Sequence, residues 1–531
     1  MKFPWSLRVA ASMVLLRTSR GLADLLRRFP SPAPTDLAPA SLPGQDAHRA
    51  ARVHAQTQAL RLVPIGAKYG FADSFDHLTL AELPPHQHYP TRMGLPKAVL
   101  AAALSVDLRT GAPQARVDTG AWLGRPRGTK LDWSSQAAFA PLRLQGPNPA
   151  WLRRAPELAV SAGADPERAF AVDYRALLSG LPTRPGRYVE PCAALFTETG
   201  RGLASVGICF ETAKGPRWVH SNGSEEWKRA RQHFHCADLH VHEAVSHFLW
   251  THVYGEKFLI ATLRRLDEQH PIRRLLAPHL VGTLQANENS GRRLLGPEGF
   301  FAGCFSAGWT GVAELLRRGD RSWRFERMVL PRELEERGAA QLSTYPYAED
   351  GLGLWLALER YVGAVVEAWF ADDAAVCADV ELCLWSAELH GWLGDRGFPV
   401  VNTRVALVEV LTAALFNVVQ HTFVNAQQYD AFGDPSTWPA SLCVPFDASG
   451  DGLPVGVEAV DAVRATYGFS IQYNTLGDGL LGWHGEKTAG AARELLKSLE
   501  QLHQAIVARE PSRPWPYRVA QPSRVSNSIN A

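Results

Sequence analysis

Apolar side chains recur every three to four positions through most of the chain after residue 225, a spacing that predicts amphipathic helices. Ala, Leu, Arg and Glu dominate these stretches, as helix propensity favours. The windows with this period are 225–265, 310–318, 351–372, 403–428 and 488–508. Short β-prone runs separated by glycine predict a small hairpin or sheet over 188–211. We therefore expect a mainly α fold, a large helical domain with a small β element.

The N-terminal segment has a different character. Its apolar run from Val9 to Leu16 is bracketed by Arg8 and Arg17, and no small-residue cleavage site follows directly. The pattern suits an arginine-bearing amphipathic helix on a membrane surface, but an ordinary surface helix docked on the domain is the more common origin of such a pattern.

Residues 30–45 are rich in proline and predict an extended arm. We therefore divide the chain into 1–45, an amphipathic helix with its proline-rich arm, and 46–531, one large domain. The chain lacks an uninterrupted apolar run of about 18 residues, so we expect no membrane-spanning helix. A location in the cytoplasm or at the membrane periphery is expected, and secretion stays open.

Charge and cysteine content exclude several classes of protein. Lys plus Arg (55) nearly balance Asp plus Glu (53), so the net charge of +2 gives no basic field for nucleic acid. The seven cysteines are scattered without a CxxC pair, which argues against a disulfide scaffold and a thiolate zinc site. Hydrophobic residues make up 46%, enough for a large core.

Histidine is concentrated in one stretch. Eight of the 18 histidines lie between 233 and 279, and neutral imidazole is the commonest metal ligand. His247 and His252 are five residues apart, which places them about 140° apart on a regular helix. One extra residue in the turn would bring them nearer to one face, so we predict a π-type bulge between them.

A second pair of candidate ligands lies in the window 403–428. His421 and Asn425 are four residues apart and therefore project from the same helix face. The α-carboxylate of Ala531 is a further hard oxygen ligand. Three imidazoles, an amide oxygen and a carboxylate suit non-haem iron or manganese better than a structural zinc ion.

Several sequence elements from about residue 130 to the C-terminus resemble those of the lipoxygenase family. They are LQGPNP (144–149), Trp227 with ARQHFHCADLHVHEAVSH (230–247), PYAEDGLGLW (346–355), ELCLW (381–385), GFPVVNTRVALVEVLTAALFNVVQH (397–421) and the final SNSINA. The histidine spacing H-x4-H-x4-H-x17-H-x8-H is similar to the family's iron-binding signature. The resemblance implies a lipoxygenase-like catalytic domain over 46–531, without the family's N-terminal β-sandwich.

Carried over residue by residue, the resemblance implies one non-haem iron per chain, with manganese as the alternative. The implied metal ligands are His247, His252, His421, Asn425 and the carboxylate of Ala531. The implied polar residues behind the ligands are Glu243 and Gln428, which would orient them. The remaining signature histidines, expected to be structural, are His242, His270 and His279.

The substrate channel is implied less directly. Gly291 stands where many members of the family have Ala. In the family, Gly at this position accompanies oxygenation that gives products of R configuration, whereas Ala accompanies products of S configuration. The stretch after His279 is one residue longer than the common N-x-x-A-R form. Leu295 and Leu239 are candidate residues of the channel wall.

The resemblance implies a dioxygenase that adds O2 to a polyunsaturated fatty acid of the linoleate or arachidonate type. A metal-bound hydroxide, with no side-chain acid or base assigned, would remove a bis-allylic hydrogen, and the product would be a hydroperoxide. The alternatives are a hydroperoxide isomerase, a manganese form and a catalytically silent lipid-binding protein. Which group meets the fatty-acid carboxylate stays open, because the substrate could also enter methyl end first.

Overall fold

The structure is a computed structural model that describes most of the chain. The described residues are 4–29, 34, 37–44, 48–70, 77–108, 123, 135–212, 214–448, 452–453 and 457–530. Ala531 and part of the proline-rich arm lie outside them. The proposed division at residue 45 therefore stays a prediction.

Among the described residues, four helices and a two-stranded hairpin precede the large domain's sheet. The helices are α1 (Trp5–Leu26), α2 (Arg49–Ala59), α3 (Ile65–Tyr69) and α4 (Thr91–Leu104). The hairpin is antiparallel and pairs β1 (Leu62–Pro64) with β2 (Leu78–Leu80). The N-terminal helix is the one element that was predicted for this region, because proline and glycine interrupt the periodicity that follows it.

The predicted β element is a five-stranded antiparallel sheet whose strand order follows the chain. Its strands are β3 (Arg153–Arg154), β4 (Ala169–Asp173), β5 (Cys192–Thr199), β6 (Gly202–Thr212) and β7 (Gly215–His220). The hairpin predicted over 188–211 is confirmed as β5 and β6. The sheet extends beyond this hairpin. Strands β3, β4 and β7 were not predicted, because they are too short or too irregular to stand out in the sequence. The short helices near this sheet are α5 (Pro141–Gln145), α6 (Pro156–Ala162) and α7 (Arg175–Leu178).

Helices dominate from residue 225 onward, which confirms the mainly α fold. The first part contains α8 (Glu225–Val241), a π-helix (His242–Val253), α9 (Tyr254–Arg265), α10 (Pro271–Leu276), α11 (Thr283–Ser290), a second π-helix (Gly291–Leu295), α12 (Phe300–Cys304), α13 (Gly308–Ser322) and α14 (Leu330–Glu336). The second part contains α15 (Pro346–Trp369), α16 (Asp373–Ala378), α17 (Val380–Leu393), α18 (Arg404–Asn425), α19 (Gln428–Phe432), α20 (Val457–Phe469) and α21 (Glu486–Arg509). Every predicted helical window contains a helix.

Side-chain caps fix the beginnings of the two helices that matter most for the site. Ser224 accepts a hydrogen bond from the backbone N–H of Trp227 at the start of α8, and Thr403 accepts one from Ala406 at the start of α18. Helix α18 is long and apolar enough to cross a membrane by composition, yet 83% of its apolar window is buried. Its apolar side chains belong to the main hydrophobic core.

Helix α1 is docked on the domain. Its inner face, with Val9, Met13 and Leu16 buried, joins a hydrophobic cluster that also contains Leu100 of α4 and Val463 of α20. The docked-helix interpretation is therefore supported, and a separate outer face of α1 remains exposed.

Candidate metal centre

The π-helix between α8 and α9 brings His247 and His252 together, as the spacing of five predicts. The distortion covers the twelve residues His242–Val253 rather than a single bulge. A π-turn uses one residue more than an α-turn, so it rotates His252 toward His247. The Nε2 atoms of the two rings lie 3.2 Å apart.

Helix α18 supplies the third imidazole. The Nε2 atom of His421 lies 3.3 Å from that of His247 and 3.2 Å from that of His252. With a metal–nitrogen bond of roughly 2.1 Å, two nitrogens bound at right angles lie about 3.0 Å apart and two at a tetrahedral angle about 3.4 Å. The three nitrogens therefore have the separations that one metal ion requires, and this group of histidines could hold one.

Hydrogen bonds behind two of the rings define which nitrogen carries the proton. Nδ1 of His247 lies 3.0 Å from the Glu243 carboxylate, and Nδ1 of His252 donates to the Asn287 amide oxygen over 2.7 Å. Each Nε2 atom then carries a lone pair and no proton, and the two lone pairs repel each other because they face each other at hydrogen-bond distance. A cation between them would accept both lone pairs and remove this repulsion.

Burial keeps the three imidazoles neutral, which is the form that binds metal. It lowers the pKa of His252 to about 3, and it also lowers the pKa of His247 and of His421. Burial alone would raise the pKa of Glu243, but hydrogen bonds with His242 and His247 outweigh it and lower that pKa to about 2. The site therefore holds one buried carboxylate beside neutral rings.

Asn425 and Gln428 lie beside the imidazoles. Both are buried, and Gln428 Nε2 donates to the Asn425 amide oxygen over 3.1 Å. The same Nε2 lies 3.1 Å from Nδ1 of His247. Asn425 retains a second lone pair on its amide oxygen for a metal. Ala531 lies outside the described residues, so its role as a ligand stays a prediction.

The C-terminal peptide is buried beside α18. Residues 526–530 are buried, and the backbone N–H of Ser526 donates to the Thr422 hydroxyl, one residue after His421. Asn527 donates to the carbonyl of Pro278 and receives a bond from Gly477. The SNSIN segment is therefore held by polar contacts on several sides.

Two of the signature histidines predicted to be structural have clear protein partners. His242 donates from Nε2 to the carbonyl of Val424, which ties the π-helix to α18. His270 pairs with Asp379 over 3.0 Å, and its Nδ1 caps α10. His279 is fully buried. All three lie outside the group that could hold a metal.

The channel candidates are buried, and one has an unexpected neighbour. A Cβ atom on Gly291 would lie 2.5–2.9 Å from atoms of the Tyr69 ring, so that ring fills the space beside the glycine. The extra residue of this stretch coincides with the second π-helix, which starts at Gly291. Leu239 and Leu295 are each 1% exposed, and their place in a channel stays a prediction.

Two asparagines that sequence analysis missed support the π-helix. A π-helix leaves carbonyl groups without their usual α-helical partners. Asn417 of α18 donates to the carbonyl of Thr251 over 2.9 Å, and Asn287 donates to that of His252 over 3.1 Å. Asn287 stands four residues before Gly291, in the stretch that resembles N-x-x-A-R, so the family pattern could have indicated it.

The chain is similar in sequence to known proteins. The sequence profile of the family described as Lipoxygenase matches residues 214–442. A polyunsaturated fatty acid lipoxygenase ALOX15B from Rattus norvegicus is 28% identical over 445 residues, 75% of this chain and 66% of the relative. A linoleate 9/13-lipoxygenase from Pseudomonas aeruginosa is 30% identical over 458 residues, 74% of this chain and 66% of the relative. The chain thus spans just under two thirds of the length of these relatives.

Solved structures agree on the fold. A crystal structure of a lipoxygenase in complex with arachidonate, determined without oxygen, superposes with a TM-score of 0.82 at 22% identity. The match covers 93% of this chain and 84% of that one. The fold, the order of the motifs and the histidine cluster all indicate the same family, and the chain belongs to the lipoxygenase family.

Proposed function

We propose that the protein is a non-haem iron dioxygenase that adds O2 to a polyunsaturated fatty acid and releases a hydroperoxide. The observation that carries the proposal is the convergence of three buried Nε2 atoms at 3.2–3.3 Å. Iron bound there would supply the one-electron chemistry that removes a hydrogen atom from the substrate. The nitrogen and oxygen donor set suits iron, with manganese as the alternative.

The residues around the site would hold it in one geometry. His247, His252, His421 and Asn425 would bind the ion, and the predicted Ala531 carboxylate would complete the set. Glu243 and Asn287 fix the two imidazoles of the π-helix through Nδ1, so that their Nε2 atoms keep facing the ion. Aromatic rings such as Phe248 against His252 and Phe469 near His247 provide apolar surroundings for a hydrocarbon chain.

Metal content and oxygen uptake, measured on one preparation, test the proposal. We expect about one iron per chain and O2 consumption that depends on linoleate or arachidonate, with a hydroperoxide as product. Iron without uptake, combined with conversion of an added hydroperoxide, would favour the isomerase. Active protein with manganese would favour the manganese form, and folded protein without metal would favour the silent lipid-binding protein.

We further propose that the outer face of α1 contacts an anionic membrane surface. Leu7, Val14 and Leu25 are each at least half exposed, and their spacings of seven and eleven residues place them on one helix face. Residues 4–29 contain five arginines and one aspartate, which favours anionic lipid. An enzyme located there would meet fatty acid where it is released.

Vesicle sedimentation tests this location. We expect the protein to bind vesicles that contain phosphatidylglycerol, and the triple substitution Leu7→Ser, Val14→Ser and Leu25→Ser to abolish binding. Val160→Ser removes a more exposed apolar side chain on α6 (69% exposed) and serves as the control. Unchanged binding by the triple variant would refute the proposal.

A further inference from the structure

A cleft with a volume of about 590 Å³ opens beside Trp151, and none of the three histidines of the metal centre lines it. Its wall is rich in arginine and contains Arg153, Arg318, Arg321, Arg327 and Arg337. Among the described residues, Asp173 is its one acidic lining residue, and Asp173 is already paired with Arg175 over 2.6 Å. The lining of the cleft therefore carries an excess of positive charge.

Two of these arginines already have their anions. Arg318 donates to the Glu314 carboxylate over 2.6 Å and to the carbonyl of Ser179 over 2.7 Å. Arg337 donates to the two carboxylate oxygens of Glu333 over 2.5 Å and 2.7 Å. Contacts within the protein thus occupy both guanidinium groups, and the carboxylates that they use are not free for the other arginines of the cleft.

Arg327 is held by the face of its guanidinium group instead. The guanidinium carbon lies 4.4 Å from the ring centroid of Trp250 and 5.8 Å from that of Trp151, and the two indoles stack on each other at 5.0 Å. In the part of the chain that the structure describes, the Arg327 side chain has no hydrogen bond and no ion pair. Its N–H groups are therefore free to donate along the edge of the plane, where an oxyanion can accept two parallel bonds.

Arg153 is a second guanidinium group without a partner. It is exposed, and its side chain forms no hydrogen bond or ion pair with the described residues. Burial lowers the pKa of Arg327, and the charge of Arg153 lowers it further, in agreement with their place in one cleft. An anion bound between the two groups would offset this repulsion.

The charge of the cleft suits a phosphate monoester. Such a group carries about −1.5 to −2 charges at pH 7, whereas a carboxylate or a sulfate ester carries a single negative charge. Two unpaired guanidinium groups therefore match the phosphate better. The lining also contains Trp151, Ala176 and Leu177, which offer apolar surface to the organic part of the ligand.

A smaller cavity on the other side of Arg327 has room for water alone. It is lined in part by Arg327, Trp250 and Trp323, and its volume of about 30 Å³ is the share of one water molecule. The indole Nε1 atoms of Trp250 and Trp323 are buried without a hydrogen-bond partner among the described residues. A phosphate group does not fit there, so a ligand of Arg327 must lie in the larger cleft.

We propose that this cleft binds a phosphate monoester, with Arg327 donating to two phosphate oxygens and Arg153 neutralising the second negative charge. The phosphate can belong to a soluble ester or to a lipid headgroup such as that of phosphatidic acid. The site is separate from the metal centre, and the proposal does not depend on the proposed function.

The wall of the cleft is in contact with the π-helix. Trp250 belongs to the π-helix itself, and Nε1 of Trp151 donates to the hydroxyl of Ser246 over 2.8 Å, one residue before His247. A ligand that binds Arg327 would therefore hold Trp151 and Trp250 in their stacked arrangement. Binding to the folded protein should raise its melting temperature.

Calorimetry on the metal-loaded full chain tests the proposal with phenyl phosphate as the probe. We expect saturable binding with a Kd of about 1 mM or below. Arg327→Gln should weaken it at least about tenfold, because the paired charge-assisted bonds are lost. Arg153→Gln should weaken it about two- to fivefold, as expected for an exposed charge. Arg360→Gln, at an exposed position of α15, is the control and should bind like the wild type.

Phenyl sulfate tests the charge of the ligand, because it has the same shape and one negative charge. We expect it to bind several-fold more weakly than phenyl phosphate to the wild type. Equal affinity for the two esters would overturn the assignment to phosphate. Unchanged binding of phenyl phosphate by Arg327→Gln would place the ligand elsewhere, for example at the metal, and would also overturn the proposal.

Thermal unfolding separates loss of the site from loss of the fold. We expect the melting temperature of Arg327→Gln to be unchanged or higher without ligand, since a half-buried unpaired charge is removed, and to respond less to phenyl phosphate. Arg153→Gln, at an exposed position, supplies the second test if Arg327→Gln does not fold. Equal weakening by Arg153→Gln and Arg360→Gln would then refute the site.

Vesicle sedimentation distinguishes the two sources of phosphate. The triple serine variant of α1 removes the other proposed membrane contact and serves as the background. Binding to vesicles with phosphatidic acid that Arg327→Gln abolishes would identify a lipid headgroup. Binding of phenyl phosphate without such vesicle binding would identify a soluble phosphate ester, and absence of both would overturn the proposal.

Discussion

The segment that carries His247 and His252 is a π-helix over twelve residues, whereas α18 carries His421 and Asn425 as a regular α-helix. The difference follows from spacing, since residues five apart share a face only if the helix is widened and residues four apart share it already. The widened segment therefore needs support from other elements. Asn417 and Asn287 provide it by donating to carbonyls of the π-helix.

The two helices also hold their imidazoles differently. Glu243 and Asn287 accept from Nδ1 of His247 and His252, so side chains fix the orientation of both rings on the π-helix. Nδ1 of His421 has no hydrogen-bond partner in the part of the chain that the structure describes. A regular helix thus positions its ligand through the backbone and packing, whereas the π-helix relies on specific side chains.

The largest expected effect is the loss of an imidazole from either helix. His252→Ala and His421→Ala should each abolish metal binding and O2 uptake while leaving most of the helical content, because each removes one of three converging nitrogens. Elemental analysis and circular dichroism measure both properties. His390→Ala, at an exposed position of α17, should change neither, and metal retained at wild-type level by His252→Ala would refute its assignment as a ligand.

A smaller effect is expected when an orienting side chain is removed from the π-helix. Asn287→Ala should weaken metal affinity about ten- to a hundredfold, because Nδ1 of His252 loses its acceptor and the ring can rotate. Competition with a chelator measures this affinity. Asn289→Ala is the matched control, because Asn289 is two residues away and makes a long hydrogen bond, 3.4 Å, to the Tyr89 hydroxyl. Equal affinities for the two variants would contradict a special role of Asn287.

The smallest effect concerns the backbone of the π-helix. Asn417→Ala should lower the free energy of unfolding by about 1–2 kcal/mol, because the carbonyl of Thr251 loses its buried donor. Thr412→Val, on the same helix, replaces a buried hydroxyl that has no hydrogen-bond partner among the described residues and should be neutral or stabilising. Chemical denaturation of both variants measures the difference. If Thr412→Val lowers the free energy of unfolding as much as Asn417→Ala does, loss of support for the π-helix is not the cause of the Asn417→Ala effect.

Much of the site could be predicted because its signals are local. The spacing of His247 and His252 implied the π-type distortion, and the spacing of His421 and Asn425 implied a regular helix. The structure confirms both. The extent of the distortion was not predictable, because it depends on donors such as Asn417, which is 166 residues from Thr251 in sequence.

The region before the sheet shows where sequence patterns stop being informative. Thr79 of β2 binds Glu256, whose second oxygen accepts from Asn287 over 2.6 Å. The N-terminal hairpin is thereby joined to the residues behind His252. Tyr69 fills the space beside Gly291 in the same region. Periodicity cannot indicate such contacts, since each partner is an isolated polar or aromatic residue in an irregular stretch.

The sequence by itself determined the mainly α architecture, the helices that carry the candidate ligands and the lipoxygenase family, because period, spacing and motif order are properties of neighbouring residues. Only the tertiary structure decided that the three Nε2 atoms converge and that Asn287 and Asn417 support the π-helix. These properties depend on distances between residues far apart in the chain. Packing of the hydrophobic core sets those distances, and no local pattern records them.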